Sequence, residues 1–373
     1  MTDVLATPTV TAAAQPQPVV PPRPSLPAQR RRALSSRTPE DRLTLVGAAV
    51  GSLGFVWLLY ERLLPFSGRF GFVMAWFVLF VVFYAGLTAM SAPRAVVLDR
   101  VASTVVIAAP VVVGLALASM LVFTFFKGWK AFHHRNFFTQ TMATTRPTDS
   151  LSDGGIVHAI VGTLIEVGIA VAIALPLGIA TAVFLSEVGG PLARWVKTVV
   201  EAMTALPSIV AGLFIYTVLL VDLHVPRSGI AAAIALAVMG LPIMARSADV
   251  VLRVVPGGLR EASYALGATR WQTVWRVVLP SARPGLATAL ILSIARMVGE
   301  TSPVLLTSGA SNVLNTNPLN HPMNSLPLFI YTSVRSGETQ DIARGFGAAA
   351  VLLALVITLF TLARLAARPR KVR

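Results

Sequence analysis

Apolar residues in this chain come in long uninterrupted runs, not in the alternating or one-sided patterns of a protein folded in water. Eight runs reach spanning length: Leu43–Tyr60, Phe70–Met90, Val101–Phe126, Ile156–Leu185, Ala202–Val221, Ser228–Ala245, Pro284–Thr307 and Gly345–Ala363. A helix rises about 1.5 Å per residue, so roughly 20 apolar residues cross a hydrocarbon core of about 30 Å. Six of the eight runs hold no Asp, Glu, Lys or Arg; the fourth holds Glu166, and the seventh holds Arg296 and Glu300. The pattern predicts an all-α integral membrane protein, a polytopic bundle of about eight transmembrane helices.

The exceptions carry the chemistry. Arg296 and Glu300 stand near the middle of the predicted seventh span, four residues apart, which puts them on one helix face within reach of each other. A charge at that depth costs about 3 kcal/mol on insertion scales, and an intramembrane charge marks a function by default. The bland alternative is an ion pair that staples helices together. Glu166 belongs inside the bundle, because a lipid-facing carboxylate is costly. Pairing with Arg296, pairing with a partner's arginine, and a neutral hydrogen-bonded carboxyl are all compatible with its position.

Composition sharpens the picture in three places. Of 373 residues 55% are hydrophobic and 13% charged, so there is no large soluble core, and the 27 glycines suit close helix packing. The absence of cysteine excludes disulfides, thiolate metal sites and cysteine nucleophiles. The net charge of +15 would suit nucleic acid. With eight spans, however, most of the basic residues fall in the two tails and in the loops on the same side, which sets both termini in the cytoplasm. Basic charge is here a topology signal, with no nucleic-acid partner implied.

Three segments follow. Residues 1–42 are proline-rich and basic without an apolar signal region, and read as a disordered cytoplasmic tail. Residues 43–100 hold two spans without an ionisable group, joined by a turn with Pro65 and Gly68, and read as an accessory hairpin. Residues 101–373 hold every intramembrane charge and read as the working core.

Two outer segments add little chemistry. In Lys127–Gly155, His133 and His134 have no third ligand at metal spacing, so Trp129, Phe132, Phe137 and Phe138 beside them read as an interfacial aromatic belt. No metal site is expected. In Ser308–Asp341, Pro327 followed by apolar residues predicts a short helix lying in the membrane interface.

The loop 246–283 is the most strongly patterned. Pro256 opens a short helix on which Leu259, Ala262, Ser263 and Leu266 fall at helical spacing, and Gly267 supplies the left-handed turn that ends it. Thr269-Arg270-Trp271-Gln272 matches a capping box for a second helix, which runs to a break at Leu279-Pro280. A short helix, a glycine elbow and a second helix make a rigid lever. Ala262 and Ser263 are small enough for a partner to approach closely. An amphipathic helix resting on lipid, with Trp271 and Trp275 as anchors, is an equal alternative on pattern alone.

Glu261-Ala262-Ser263, then Gly267, then Val277-Val278-Leu279-Pro280 resembles the EAA loop of ATP-binding-cassette importer permeases. The spacing matches throughout; Ser263 replaces the second alanine and Val277 an isoleucine. In that family the loop is the coupling helix that docks on the cytoplasmic ATPase. The resemblance thus gives Glu261, Ala262, Ser263, Leu266 and Gly267 that role. Gly154-Gly155-Ile156, Gly162-Thr163-Leu164, Leu175-Pro176-Leu177-Gly178, Leu206–Phe214 and Ile294-Ala295-Arg296…Gly299-Glu300-Thr301-Ser302-Pro303 are similar to the phosphate permeases of the PstA family. This resemblance covers roughly residues 95–370 and leaves out the first two spans and the tail.

The resemblance implies a membrane subunit of a phosphate importer in the bacterial inner membrane. Its expected partners are a PstC-like second permease, two PstB-like ATPases and an extracytoplasmic PstS-like phosphate-binding protein. No cofactor is expected in this chain, since ATP and magnesium would sit on the partner ATPase. Arg296 and Glu300 take the positions that the family implicates in phosphate passage, and Thr301 and Ser302 would add hydroxyls. Guanidinium suits a tetrahedral oxyanion through paired hydrogen bonds, and Glu300 would keep the site from holding phosphate too tightly. Rival readings are a permease for sulfate, molybdate or phosphonate, a membrane-embedded enzyme, and a non-transporting sensor subunit. The enzyme reading lacks a cluster of acid and base residues on the loops, and no phosphate-cradling glycine loop is present.

Overall fold

The computed structural model describes residues 39–63 and 68–366. Most of the predicted tail, Pro65 of the predicted turn and the last seven residues lie outside them. Every regular element among the described residues is helical. In chain order these are α1 (Pro39–Leu58), α2 (Arg69–Ala89), α3 (Arg94–Phe132), α4 (Asn136–Thr139), α5 (Val157–Val183), α6 (Pro191–Thr204) and α7 (Ser208–Ile215). They continue with α8 (Gly229–Val254), α9 (Gly257–Ala265), α10 (Arg270–Thr273), α11 (Leu279–Val298), α12 (Ser302–Thr307), α13 (Leu326–Arg335) and α14 (Thr339–Ala366). Wider π turns extend α1, α5 and α7 and join α10 to α11. Among the described residues seven helices are long and apolar enough to cross a membrane, and the bent pair α6 with α7 is the candidate for an eighth crossing.

The chain divides into two compact units, residues 1–113 and 114–373, with α3 beginning in the first and ending in the second. In the first unit α1 and α2 pack together: Gly51 faces the Phe83 ring, and Trp76 Nε1 donates to the Ala49 carbonyl at 3.2 Å. Asp41 is ion-paired with Arg100.

In the second unit the principal seam is between α5 and α8. Along α5, Gly162, Glu166, Ala170, Ala174, Gly178 and Ala182 recur every fourth residue, and all are buried. They form one stripe of a helix, and the small members let α8 approach closely. The facing surface of α8 is also built of small residues, among them Ala231, Ala235, Ala245 and Ala248. Lipid supplies no hydrophobic drive between helices, so close backbone approach and dispersion do the holding. Glu166 is thus a carboxyl set into a small-residue seam.

Two predicted spans are corrected by proline. The run Ala202–Val221 is not one helix: α6 ends at Thr204, Pro207 takes an extended conformation, and α7 departs at 106°. Proline bars its predecessor, here Leu206, from helical backbone. α6 itself is amphipathic, with Arg194, Lys197 and Glu201 among its residues. The run Pro284–Thr307 is likewise not continuous. The apolar helix starts earlier, at Arg270, and stops at Val298. Pro303 has no N–H for the Gly299 carbonyl and its ring would strike it, so the helix breaks and α12 begins anew. Arg296 therefore stands in the last turn of α11, not in the middle of a span.

Two further expectations change. The predicted break at Leu279-Pro280 is absent, because the π turn Val274–Val278 widens the helix just before Pro280 and lets it pass. The segment predicted to lie in the lipid interface is α13, whose Leu326, Pro327, Leu328 and Phe329 are buried in protein. The Leu326 N–H donates to the Thr163 hydroxyl of α5 at 2.7 Å.

α12 is held against α7 at one tight point. A Cβ on Gly212 would lie 2.6 Å from the Pro303 Cα. Gly212→Val should therefore separate α7 from α12 at a cost of about 1–3 kcal/mol. The expected result is a lower thermal midpoint with unchanged helix content by circular dichroism. An unchanged midpoint would show that this contact does not hold the break in place.

Candidate functional site

The broken end of α11 carries the intramembrane pair. Arg296 Nε lies 2.8 Å from Glu300 Oε1; the arginine side chain is 56% exposed and the glutamate 10%. The helix is keyed against α8 one turn earlier, where Ser293 Oγ donates to the Gly240 carbonyl at 3.1 Å and the Met297 side chain covers Gly240. With those residues facing α8, Arg296 is turned outward. It borders a small cavity with Met203, Thr204, Leu206 and Ala211 from the α6–α7 break and Val238, Met239 and Ile243 from α8. The cation thus stands where two helix breaks meet, one made by Pro207 and one by Pro303.

Nε of Arg296 faces Glu300, and among the described residues no hydrogen bond engages either Nη group. A guanidinium so placed offers two parallel N–H donors to an oxyanion without first giving up its carboxylate. Thr301 follows in the break and Ser302 opens α12, both half-buried. No hydrogen bond joins their hydroxyls to Arg296 or Glu300 among the described residues, so the structure unites two of the four predicted residues and leaves the other two adjacent.

Glu166 is not part of this pair. It is 1% exposed, and neither carboxyl oxygen makes a hydrogen bond of good geometry. The Ser308 hydroxyl beside it donates to the Met323 carbonyl at 2.7 Å and accepts the Met323 N–H at 3.1 Å. No cation stands within ion-pair distance of it among the described residues. A buried carboxylate without compensation is costly, so a neutral group of the same shape should serve as well. Glu166→Gln is expected to keep membrane abundance and transport within about twofold of the parent, and Glu166→Lys to abolish both. Loss of transport in the Gln variant would show that the charge itself is needed.

At the other end of α5 lies the lever. Gly267 has φ +79°, and Thr269 with Gln272 forms the capping box, with bonds of 3.3 and 2.9 Å. α9 is exposed along Leu259, Glu261, Ala262, Tyr264 and Leu266, the last 89% exposed. Ser263 is the exception: it is buried and its hydroxyl bonds Thr273 at 2.9 Å, tying α9 to α10. Of the predicted coupling residues, Glu261, Ala262, Leu266 and Gly267 are accessible to a partner, while Ser263 faces inward.

Two features escaped the sequence. Arg260 binds Glu187 Oε1 through Nε and Nη2 at 3.1 and 2.8 Å and also reaches the carbonyls of Val255 and Leu252. This fastens α9 to the end of the α5 helix, across 73 positions that no local spacing rule connects. Arg344, 1% exposed, holds the carbonyls of Asp149, Ser150 and Asp153 at 2.6–3.0 Å. It stands one residue before the predicted eighth span, which in fact begins at Thr339; a charge at a span's edge reads by default as solvated.

The family model described as "Binding-protein-dependent transport system inner membrane component" matches residues 174–372, which take in the lever, the paired charges and both helix breaks. The chain belongs to that family. The permease is 39% identical over 262 residues to "Phosphate transport system permease protein PstA 1" of Mycobacterium tuberculosis (strain CDC 1551 / Oshkosh), covering 70% of this chain and 86% of the relative. It is 32% identical over 256 residues to "Phosphate transport system permease protein PstA" of Haemophilus influenzae, covering 67% of this chain and 88% of that one. Among solved structures, a chain of a bacterial alginate ABC transporter, in complex with a periplasmic protein bound to alginate pentasaccharide, shares the fold. The TM-score is 0.51 at 17% identity, over 72% of this chain and 96% of that one. The permease is a membrane transport subunit, not an enzyme.

Proposed function

We propose that the permease is one of two membrane subunits of an ATP-driven importer of inorganic phosphate in the bacterial inner membrane. The observation that carries this reading is the Arg296–Glu300 pair at the meeting of two helix breaks, with the Nη groups of the cation in no hydrogen bond among the described residues. A broken helix is tolerated at membrane depth only inside protein or along a cavity, and substrate sites are built at such breaks. The relatives named as phosphate permeases make phosphate the oxyanion that fits.

A PstS-like binding protein would deliver phosphate on the outer side, and a PstC-like permease would complete the path. PstB-like ATPases would dock on the exposed face of α9. Glu261, Ala262 and Leu266 would make that contact, while Arg260, Ser263 and Gly267 transmit its movement. ATP and magnesium would be held by the ATPases. The distribution of basic residues supports both termini in the cytoplasm, and residues 43–100 would be an accessory hairpin outside the transport core.

The test is ATP-dependent uptake of radiolabelled phosphate by the four-component importer in sealed vesicles. Unlabelled phosphate should compete, and sulfate and molybdate should not at equal concentration. Uptake of sulfate or molybdate in preference to phosphate would replace the cargo while leaving the machine unchanged.

A further inference from the structure

We infer that the permease holds the headgroup of an anionic glycerophospholipid in a cleft at the end of the membrane opposite the coupling helix. The cleft measures about 740 Å³ and lies between the end of α3 and the start of α14. α3 presents Lys127 and Lys130 to it, His133 and His134 follow just past the helix end, and Phe126 closes its membrane side. Ser150 and Leu151 form one wall, and Thr339, Gln340, Ile342 and Ala343 the other; among the described residues no carboxylate lines it.

Depth follows from the sequence. The run Val101–Phe126 contains no charge, and Lys127 is the first one after it. The lysines therefore stand where hydrocarbon gives way to headgroups. Phe126 is 80% exposed and Trp129 61%, as expected of rings at that level. The other end of the membrane is identified by the Glu187–Arg260 bond at the far end of the α5 helix. The first end is fixed by the Ile156 N–H, which donates to the Phe137 carbonyl at 2.9 Å.

The cleft is also built, not a gap between mobile loops. Arg344, buried beneath it, holds the Asp149, Ser150 and Asp153 carbonyls and so sets the position of the Ser150 wall. Asn136 adds a bond of 2.9 Å to the Leu151 carbonyl. Neither lysine forms an ion pair among the described residues; Lys127 leans over the Phe123 ring at 5.8 Å, toward the apolar side. Two unpaired ammonium groups on a half-apolar cleft at the membrane boundary complement a phosphodiester carried on acyl chains. A free phosphate ion would have no use for the Phe126 side of the cleft.

The assembled importer, in nanodiscs of equimolar phosphatidylcholine and phosphatidylglycerol, is released into native mass spectrometry and the retained lipids are counted. The parent should keep phosphatidylglycerol in preference to phosphatidylcholine. Lys127→Gln with Lys130→Gln should lower that preference by about 25-fold, taking about fivefold for each lysine beside an anionic headgroup. Lys127→Arg with Lys130→Arg should keep it. Both side chains are exposed, so neither pair of substitutions threatens folding. An unchanged preference in the Gln variant would overturn the inference, as would displacement of the lipid by inorganic phosphate. Cross-linking from position 130 to another protein subunit instead of to lipid would overturn it too. The count requires no transport, so it stands or falls apart from the phosphate reading.

Discussion

Arg296→Ala is expected to lower ATP-driven phosphate uptake by about a hundredfold while the permease still assembles with its partners. Two consequences combine. The substitution removes the one intramembrane guanidinium that faces the helix breaks, and it leaves Glu300, whose side chain is 10% exposed, without its cation. Losing a preorganised donor to a passing anion costs about 2.7 kcal/mol, which corresponds to a hundredfold in rate. The two effects separate in the double variant. If Glu300 only neutralises Arg296 between transport events, Arg296→Ala with Glu300→Ala recovers stability and not uptake. If the pair is a structural staple, the double variant recovers both. Arg296→Lys should transport poorly, because an ammonium lacks the planar pair of donors. Initial uptake rates in vesicles, set against the amount of assembled complex, decide among these outcomes.

The second large effect is expected at Arg260. Its guanidinium donates to Glu187 and to two carbonyls at the end of α8, and the Glu187 side chain is only 6% exposed. Arg260→Ala leaves that carboxylate buried and unpaired, at a cost of about 3–5 kcal/mol, and the thermal midpoint should fall by about 10 °C. The functional effect should go further than the loss of stability. Among the described residues the Ser263–Thr273 bond would then be the one side-chain hydrogen bond that ties α9 to a neighbouring helix. ATP hydrolysis should continue with uptake reduced, the signature of a lever that turns without moving its load. Arg260→Met with Glu187→Leu removes both charges and should restore the midpoint, since a hydrophobic replacement of a buried pair is often neutral or stabilising. If hydrolysis and uptake stay in proportion in Arg260→Ala, the contact is structural only.

Much of this architecture is legible without coordinates because membrane spanning is a demand on composition. Runs of apolar residues of spanning length leave few alternatives to helices, and the capping box at Thr269 and the positive φ of Gly267 are local rules that hold wherever the chain lies. The four-residue spacing predicts that Arg296 and Glu300 meet, and the structure pairs them, although α11 ends at Val298 and Glu300 lies in the break beyond it and not on the helix face. The same periodicity overran Pro207 and Pro303. Hydropathy reads a proline-broken run as continuous, because proline and its apolar neighbours cost nothing in transfer yet end the hydrogen-bond ladder.

The sequence by itself determined the class of fold, the apolar runs that hold most of the long helices, the lever between α9 and α11 and the pairing of Arg296 with Glu300. Each depends on residues close together in the chain. Tertiary structure decided what each of these meets. It turned Ser263 inward while Leu266 stayed outside, and it bound Arg260 to Glu187. It also set Glu166 in the α5–α8 seam with no cation beside it, and it brought the break at Pro207 against Arg296. Partners of that kind are separated by tens of residues, and helical spacing carries no information across a loop. The packing of small residues between α5 and α8, and of Gly212 against Pro303, helps to select which faces come together.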